Sequence, residues 1–509
     1  MSTSSRIIKN TGYLYVKMGI SMIVSLYSTR LILASLGAVD FGIFNVVGGA
    51  IAFFGFLSGT LANATQRFMS YAEGEGLLEN KIRIFNVSIV LHVVIAAITV
   101  SMLLIAMVPL FNGIFNIPAE RITATKIVYV CLLVNLVLTI INAPYEAVMN
   151  AHENMLYYSI VGIIESFLRL GIAFICVYTA KDKLVVYSLL VTLVPLVTLS
   201  VMKVYCHRRY EECIIAPQRY WDGDLVRKIA GFSGWNFLTA ISSIFSASGI
   251  GVVLNHYFGS ALNAAQGVAQ QVNGSVSNFS TNMMKALNPV IVKNAGAKNM
   301  DAMNRVTIAG CKYSGLLTMF FGIPLSLEIQ YVLSIWLKEV PDWTAIFVIL
   351  QLVLGIITQM AMSAATAVYA QGDIKHYAIW KSIMNALPVI ITWIAFNFGC
   401  SPIWLYLPMI VVWGIGGDIV IVLFAQKQCG MSAKVYSKEV LFPLTATVII
   451  MLLGGCVPLL LMREGFFRLI ITCIATSMGM VLSCILFVIK DDEKEQIKQC
   501  VGRFICRNK

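Results

Sequence analysis

Charged residues are scarce in this sequence. Asp, Glu, Lys and Arg together make up 12% of its 509 residues, whereas 58% of the residues are hydrophobic. A soluble globular domain has roughly a quarter charged residues. The composition therefore excludes that class and indicates a polytopic membrane protein.

Motifs for catalysis and metal binding are absent as well. The sequence contains no P-loop, no nucleophile elbow and no HExxH motif, and its five histidines lie far apart. The twelve cysteines include no CxxC pair, which argues against a zinc site and against a disulfide framework. We therefore predict that the protein is not an enzyme and that it uses no cofactor or metal ion.

Long hydrophobic runs, in contrast, are abundant. A bilayer-spanning helix needs about 20 apolar residues. The first run follows Arg6 and Lys9 and is too long for a signal-peptide core, so we expect it to remain as a helix. The predicted fold class is an all-α polytopic membrane protein with about fourteen transmembrane helices, in windows near 11–36, 41–72, 84–110, 122–150, 154–180, 183–206, 225–255, 259–292, 306–327, 343–370, 376–398, 402–426, 437–461 and 466–489.

The net charge of +12 is unevenly distributed along the chain. If the N-terminus is inside, the inner loops and tails contain about 23 Lys and Arg residues. The outer segments contain about six, namely Arg121, Lys181, Lys183, Lys338, Arg463 and Arg468. This asymmetry predicts a multi-pass protein of the cell (inner) membrane with both termini in the cytoplasm, rather than a nucleic-acid-binding protein.

The sequence also shows a faint internal repeat. Gly37 and Gly259 each begin the turn into a long helix, Gly74 and Gly296 each end one, and both pairs are 222 residues apart. We interpret this as two six-helix pseudo-repeat lobes, followed by two C-terminal helices. The predicted domains are an N-terminal lobe (1–206), a cytoplasmic inter-lobe loop (207–228), a C-terminal lobe (229–427), two further helices (428–489) and a basic cytoplasmic tail (490–509).

Three cations in the first two helices are candidates for substrate binding. A buried cation in lipid costs roughly 2.5–3.5 kcal/mol or more, so each must face protein, water or an anion. Arg30 is expected to face a cavity or, alternatively, to pair with Asp40. Lys17 and Arg67 lie roughly 10 Å from the inner helix ends, where snorkelling to the interface is the alternative for Arg67. Lys17 and Arg30 are separated by about 140° around their helix, so both cannot point into one narrow cavity.

A stripe of amides and hydroxyls follows the eighth hydrophobic window. Its members recur at steps of three and four residues and therefore share one helical face. We expect this face to line a cavity and to contact sugar hydroxyls, whereas interhelical hydrogen bonding is the structural alternative. The stripe consists of Asn263, Gln266, Gln270, Asn273, Ser277 and Thr281.

Carboxylates within the hydrophobic windows or in the turn between the first two are candidates for ion coupling. Asp40, Glu146 and Glu165 are the three that we select, although no motif supports them. Glu165 and Arg169 are four residues apart and are expected to form a structural ion pair on one helical face.

Two stretches of the sequence resemble a known family. These are NTGYLYVKMGISMIVSLYSTRLILASLGAVDFGIFNVVGG, at residues 10–49, and ATQRFMSYAEG, at the end of the second helix. Together with the fourteen-helix plan they are similar to the polysaccharide transporter or O-antigen flippase family, which belongs to the MATE-like multidrug/oligosaccharidyl-lipid/polysaccharide exporter superfamily. The specific similarity is concentrated in residues 10–76.

The resemblance implies a flippase. It would move undecaprenyl-diphosphate-linked oligosaccharide, such as an O-antigen, capsule or exopolysaccharide repeat unit, from the inner to the outer leaflet by alternating access. It also implies that cavity cations contact the anionic substrate, with Arg30 as the best positional match and Lys17 and Arg67 as weaker ones. The implied partners are the polyprenyl-diphosphate-linked glycan, membrane lipids and the polysaccharide polymerase machinery. A MATE-type multidrug/cation antiporter is the alternative function.

Overall fold

The computed structural model describes residues 3–115, 117–337 and 339–488, and this part of the chain is helical and contains no strand. Eleven helices are long and apolar enough to cross a membrane, and two further helices, bent by 41° at a short break, make one more crossing. Two of the eleven, with 73 and 74 residues, are long enough for two crossings, and each breaks at one glycine. The described residues therefore form fourteen membrane-crossing helices, which confirms the predicted fold class.

The helices follow one another with short connections. Two N-terminal helices, α1 (3–36) and α2 (38–75), make up the long helical stretch Thr3–Glu75. The next four are α3 (Leu78–Pro109), α4 (Ile122–Ala151), α5 (Met155–Tyr178) and α6 (Lys183–Arg209). The stretch Gly223–Gly296 contains α7 (223–258) and α8 (260–296).

The remaining six crossings are partly irregular. They are α9 (Met300–Leu327), α10 (Thr344–Met360 with Met362–Gln371), α11 (Lys375–Asn397), α12 (Pro402–Cys429), α13 (Ala433–Leu461) and α14 (Phe466–Val488). A short helix, Ile329–Trp336, precedes α10, and a turn at Ala119–Arg121 precedes α4.

The two double-length helices break at equivalent glycines. Gly37 has φ 77° and ψ 169°, and Gly259 has φ 80° and ψ −175°. Residues with a Cβ rarely adopt this backbone conformation, so glycine permits an abrupt change of direction in a continuous hydrophobic run. The predicted breaks at Gly37 and Gly259 are confirmed.

The first of two structural units contains most of the N-terminal half. Its ranges are Met1–Ala240, Lys285–Met303 and Gly372–Lys375, so the start of α7 and the end of α8 belong to it. One of its cores joins the ends of α2, α3, α4 and α6 and includes Met69, Phe85, Tyr145, Met149 and Cys206. A second core includes Val47, Leu103, Val128, Tyr129 and Leu184.

The second unit is formed by Ile241–Met284, Asn304–Gln371 and the described residues from His376 onward. One core of this unit includes Met319, Tyr377, Tyr436 and Leu444, and the other includes Leu254, Phe347, Leu352 and Tyr406. Many large hydrophobic side chains in both units remain exposed, as expected of helices that face lipid. The predicted boundaries of the six-helix lobes stay a prediction, and the predicted basic tail (490–509) lies outside the described residues.

Candidate functional site

Arg30 lies on α1 with its side chain exposed. It makes no hydrogen bond or ion pair with any other described residue. An unpaired guanidinium on a membrane-crossing helix is costly in lipid and therefore requires water or an anionic partner. This placement leaves Arg30 available to a ligand.

Asp40, the alternative partner of Arg30, is paired elsewhere. Its carboxylate accepts hydrogen bonds from Arg121, with 2.8 Å between Nε and Oδ1. Arg121 also donates to Asp182, with 2.8 Å between Nη1 and Oδ2. The alternative pairing of Arg30 with Asp40 is thus wrong, because the turn before α4 supplies an arginine that bridges the start of α2 and the start of α6.

Lys17 is half-buried on α1 and lies in a mixed-charge cluster of the first unit. Its Nζ is 4.1 Å from the ring centroid of Tyr158, a cation–π contact. Glu146, Glu165 and Lys285 are all close enough to interact electrostatically with it. Both negative and positive charges therefore surround Lys17, and it is less available to an anionic ligand than Arg30 is.

Arg67 lies among aromatic side chains near the end of α2. Its guanidinium carbon is 4.6 Å from the ring of Phe68, 4.8 Å from that of Tyr71 and 5.7 Å from that of Phe232. The group also approaches the backbone of Gly372. Cation–π contacts hold Arg67 in place within the first unit.

The two other candidate carboxylates differ in their surroundings. Glu146 on α4 accepts a hydrogen bond of 2.8 Å from the amide of Asn142, and it interacts electrostatically with Lys17 and Lys285. Glu165 on α5 forms an ion pair of 2.8 Å with Arg169. The predicted Glu165–Arg169 pair is confirmed, and Glu146 is the more enclosed of the two carboxylates.

The predicted polar stripe of α8 divides between packing and exposed positions. Gln266 is buried and accepts a hydrogen bond of 2.5 Å from the hydroxyl of Tyr406. Asn263 packs against Gly251, and Asn273 packs against Gly355 of α10. These three amides are thus used in packing within the second unit.

The rest of the stripe is more open. Gln270 is exposed, whereas Ser277 and Thr281 are half-buried, and the Thr281 hydroxyl donates to the carbonyl of Ser277. Of the predicted set, Gln270 is therefore the residue most accessible to a ligand.

Other polar residues on α8 are exposed that the sequence did not single out. Gln271, Ser275 and Asn278 form an exposed row at steps of three and four residues, and Lys285 continues it two turns later. The periodicity of a helix identifies which residues share a face but not which face is open, so two adjacent polar rows were indistinguishable. Lys285 was detectable as a charge in an apolar run.

The last turns of α2 and α8 meet backbone to backbone within the first unit. A Cβ atom at Gly74 would lie 2.0 Å from the carbonyl oxygen of Lys293, and one at Gly296 would lie 2.0 Å from that of Tyr71. Such distances exclude any side chain, so both positions require glycine. This contact, the α2–α8 crossing, joins the glycines that the repeat predicts to be equivalent.

An ionic network surrounds the α2–α8 crossing. Glu73 is 2.9 Å from Lys81, 3.3 Å from Lys293 and 3.6 Å from the ring of His152. Lys293 also lies 3.9 Å from Glu153, whose side chain is only 4% exposed. The network links the end of α8 to the end of α2 and to the α4–α5 connection.

Glu212, in the connection between α6 and α7, extends this network. Its carboxylate is 2.5 Å from Nε2 of His152. Burial acts to raise the pKa of Glu212, but the hydrogen bond with His152 and the nearby positive charge of Lys81 outweigh it and lower that pKa below its ordinary value. Glu212 is therefore ionised at neutral pH and fixes the orientation of the His152 ring.

The geometry of the helices is similar to that of solved transporter structures. A crystal structure of a mutant MATE protein matches with a TM-score of 0.72 at 14% identity, covering 84% of this chain and 99% of that chain. The outward-facing conformation of a multidrug resistance MATE family transporter of the MOP superfamily matches with a TM-score of 0.70 at 14% identity, covering 84% and 95%. The chain has the MATE-like transporter fold.

A third structure with the MATE-like fold is that of a MOP superfamily transporter from Pyrococcus furiosus, with a TM-score of 0.66 at 15% identity, covering 85% of this chain and 96% of that chain. In sequence, no protein-family model and no curated protein matches. At such low identity the likeness establishes the fold, and the substrate has to be argued from the residues of this chain.

Proposed function

We propose that the protein is a membrane transporter that moves a polyprenyl-diphosphate-linked oligosaccharide from the inner to the outer leaflet of the cytoplasmic membrane. The observation that carries this proposal is Arg30, an exposed cation on a membrane-crossing helix that has no partner among the described residues. The sequence resemblance of residues 10–76 to O-antigen flippases supports the same substrate class.

A diphosphate needs positive charge along its path through the membrane. Arginine suits it because the planar guanidinium donates two parallel hydrogen bonds to phosphate oxygens. Arg67 and Lys17 are proposed as secondary contacts, and Lys285 adds a fourth cation, which was not among the residues predicted from the sequence. The polyprenyl tail would remain in lipid while the charged group crosses.

The glycan requires hydrogen-bonding partners of its own. Gln270 and the exposed row of Gln271, Ser275 and Asn278 offer amides and a hydroxyl, which match sugar hydroxyl groups in hydrogen-bonding chemistry. Asn263, Gln266, Asn273, Ser277 and Thr281 would act mainly by holding α8 in place. Passage of the substrate by alternating access would require the α2–α8 crossing to separate and re-form.

The first test combines gene deletion with variants of Arg30. In the deletion strain we expect surface polysaccharide to disappear while undecaprenyl-linked glycan accumulates inside the cell. Arg30→Ala should fail to restore surface polysaccharide although the protein remains in the membrane. Arg30→Lys should restore part of it because the charge is retained without the guanidinium fork.

The neighbouring exposed residue Thr29 supplies a matched control. Its hydroxyl donates only to the carbonyl of Ser25 in its own helix, so Thr29→Ala should restore surface polysaccharide in full. Normal surface polysaccharide with Arg30→Ala would refute the assignment of Arg30. Unchanged polysaccharide in the deletion strain would refute the substrate class.

A MATE-type multidrug/cation antiporter is the second candidate function. It is favoured by the similarity to a multidrug resistance MATE family transporter and by the carboxylates Glu146 and Glu165 near Lys17. Those two carboxylates, with Asp40, are the proposed ion-coupling candidates. Increased sensitivity to cationic drugs in the deletion strain, with unchanged polysaccharide, would support this function.

A further inference from the structure

A groove between α5 and α6 lies apart from the proposed transport site. It has a volume of about 540 Å³. Its walls are formed by Val201 and Val204 of α6 and by the rings of Tyr157 and Tyr205. Arg208 and Arg209 line one end of it, at the last turn of α6. The groove is therefore apolar along its length and cationic at one end.

The aromatic wall of the α5–α6 groove is held in a fixed geometry. The rings of Tyr157 and Tyr205 stack with centroids 3.7 Å apart at an angle of 16°. The side-chain amide of Asn154 donates hydrogen bonds of 2.8 Å to the hydroxyl of Tyr205 and 3.0 Å to that of Tyr210. Because these contacts fix both rings, the groove has a defined shape before a ligand enters.

The two arginines of the groove have no counter-charge within the part of the chain that the structure describes. Neither Arg208 nor Arg209 forms an ion pair or hydrogen bond with another described residue. By contrast, Arg83 pairs with Glu79 and Arg227 lies near Asp224. The dipole of α6 favours cations at its end, but it does not explain an apolar groove that leads to them.

We propose that the α5–α6 groove binds an anionic phospholipid of the adjacent leaflet. The phosphate lies at Arg208 and Arg209, and an acyl chain lies along Val201 and Val204 against the tyrosine rings. Basic residues at the cytoplasmic surface attract anionic lipid headgroups. A free phosphate would satisfy the arginines but would leave the apolar wall, including the half-exposed Val204 side chain, uncovered.

The test uses the full-length protein in detergent, with dioleoylphosphatidylglycerol as the probe and dioleoylphosphatidylcholine as the neutral comparison. Bound lipid is counted by native mass spectrometry, and thermal unfolding is followed during the titration. We expect phosphatidylglycerol to remain bound and to raise the melting temperature, and phosphatidylcholine to do neither. Arg208→Ala with Arg209→Ala should weaken phosphatidylglycerol binding by about tenfold or more.

Three further variants make the result specific to the groove. Arg219→Ala with Arg227→Ala removes the same number of arginines outside the groove and should leave lipid binding unchanged. Val204→Trp keeps both groove arginines but fills the acyl position, so it should weaken lipid binding. Arg208→Lys with Arg209→Lys should retain most of the binding because the charge is preserved.

The proposal is overturned if both lipids bind equally, or if the Arg219 and Arg227 control loses as much binding as the groove variant. Inorganic phosphate separates a lipid site from a free-anion site. It should not raise the melting temperature, and stabilisation by phosphate equal to that by phosphatidylglycerol would also refute the proposal.

Discussion

Buried charges determine which single residues matter most to stability. Glu328, just before the short helix that precedes α10, has a fully buried side chain, and its carboxylate accepts hydrogen bonds from Arg468 and from Thr472. The pair is nearly enclosed, since the side chain of Arg468 is only 14% exposed. Removing Glu328 leaves a nearly enclosed guanidinium without the carboxylate that accepts its hydrogen bonds.

We expect Glu328→Ala to destabilise the protein strongly. Loss of one partner of a buried ion pair costs about 3–5 kcal/mol, which should appear as a lower melting temperature in detergent. Glu339→Ala, which removes an exposed carboxylate in the connection before α10, is the control and should have little effect. Equal melting temperatures for the two variants would contradict the importance of the Glu328–Arg468 pair.

Glu212 gives a prediction about pH. Its pKa is lower in the folded protein than in the unfolded chain, so folding favours the ionised carboxylate. The stabilisation is fully present above the unfolded pKa, about 4.3, and is lost as the pH falls through the lower folded value. The hydrogen bond with the His152 ring and the nearby Lys81 ammonium are the interactions that lower this pKa.

The melting temperature of the wild type should therefore exceed that of Glu212→Gln at neutral pH. This advantage should shrink as the pH falls below about 4, when Glu212 becomes protonated in the wild type. Thermal unfolding of both proteins over a pH series checks the prediction. An advantage that grows on acidification would mean that Glu212 is not held ionised by its neighbours.

At the scale of the helices, the α2–α8 crossing is the most restrictive contact. Because the atom facing Gly74 is the backbone carbonyl of Lys293, a rotamer change cannot make room for a Cβ. Gly74→Ala should destabilise the protein by about 1–3 kcal/mol through overpacking. Gly59→Ala on the same helix has no atom within 4 Å of the new Cβ and should stabilise by up to about 1 kcal/mol through helix propensity.

The two Gly→Ala substitutions on α2 are thus expected to change the stability of the protein in opposite directions, which makes the comparison between them specific. Thermal unfolding of the two variants in detergent supplies it. A melting temperature for Gly74→Ala at or above that of Gly59→Ala would show that α2 and α8 do not approach as closely as described.

Local sequence patterns predicted the elements well. Hydrophobic runs gave the helices, the glycine repeat gave the breaks at Gly37 and Gly259, and the four-residue spacing gave the Glu165–Arg169 pair. Each of these depends on residues near one another in the chain. Helices, helix breaks and ion pairs within one helix can therefore be predicted from the sequence alone.

Contacts between distant segments were not predictable in the same way. Asp40 pairs with Arg121, 81 residues away, and Gln266 with Tyr406, 140 residues away. Helical periodicity does not identify the neighbour of a face, so it could not separate the packing amides of α8 from the exposed row. Nor could the sequence show that Asp40 pairs with Arg121 and not with Arg30.

At the scale of the whole molecule, fourteen crossings, an even number, place the start of α1 and the end of α14 on the same side of the membrane. We expect alkaline phosphatase, which needs disulfides and folds only outside the cytoplasm, to be inactive when fused after residue 488. The same enzyme fused after residue 181, in the connection between α5 and α6, should be active. Phosphatase activity in cells compares the two fusions directly.

Green fluorescent protein provides the complementary control, because it should fluoresce when fused after residue 488. Active phosphatase at that position would contradict the proposed cytoplasmic location of both termini. Inactive phosphatase after residue 181 would contradict the prediction that this connection lies on the outer side of the membrane.

Gly74 and Gly296 of the α2–α8 crossing also limit which second mutations can restore the function of a variant. An ion pair tolerates exchange of its two members, but Gly74 and Gly296 each face main-chain atoms, which no codon change removes. Suppressors of a Gly74→Ala defect should therefore not arise as substitutions of the contacted residues' side chains. Selection should return either the original codon or changes elsewhere in α2 and α8 that move one helix axis away from the other.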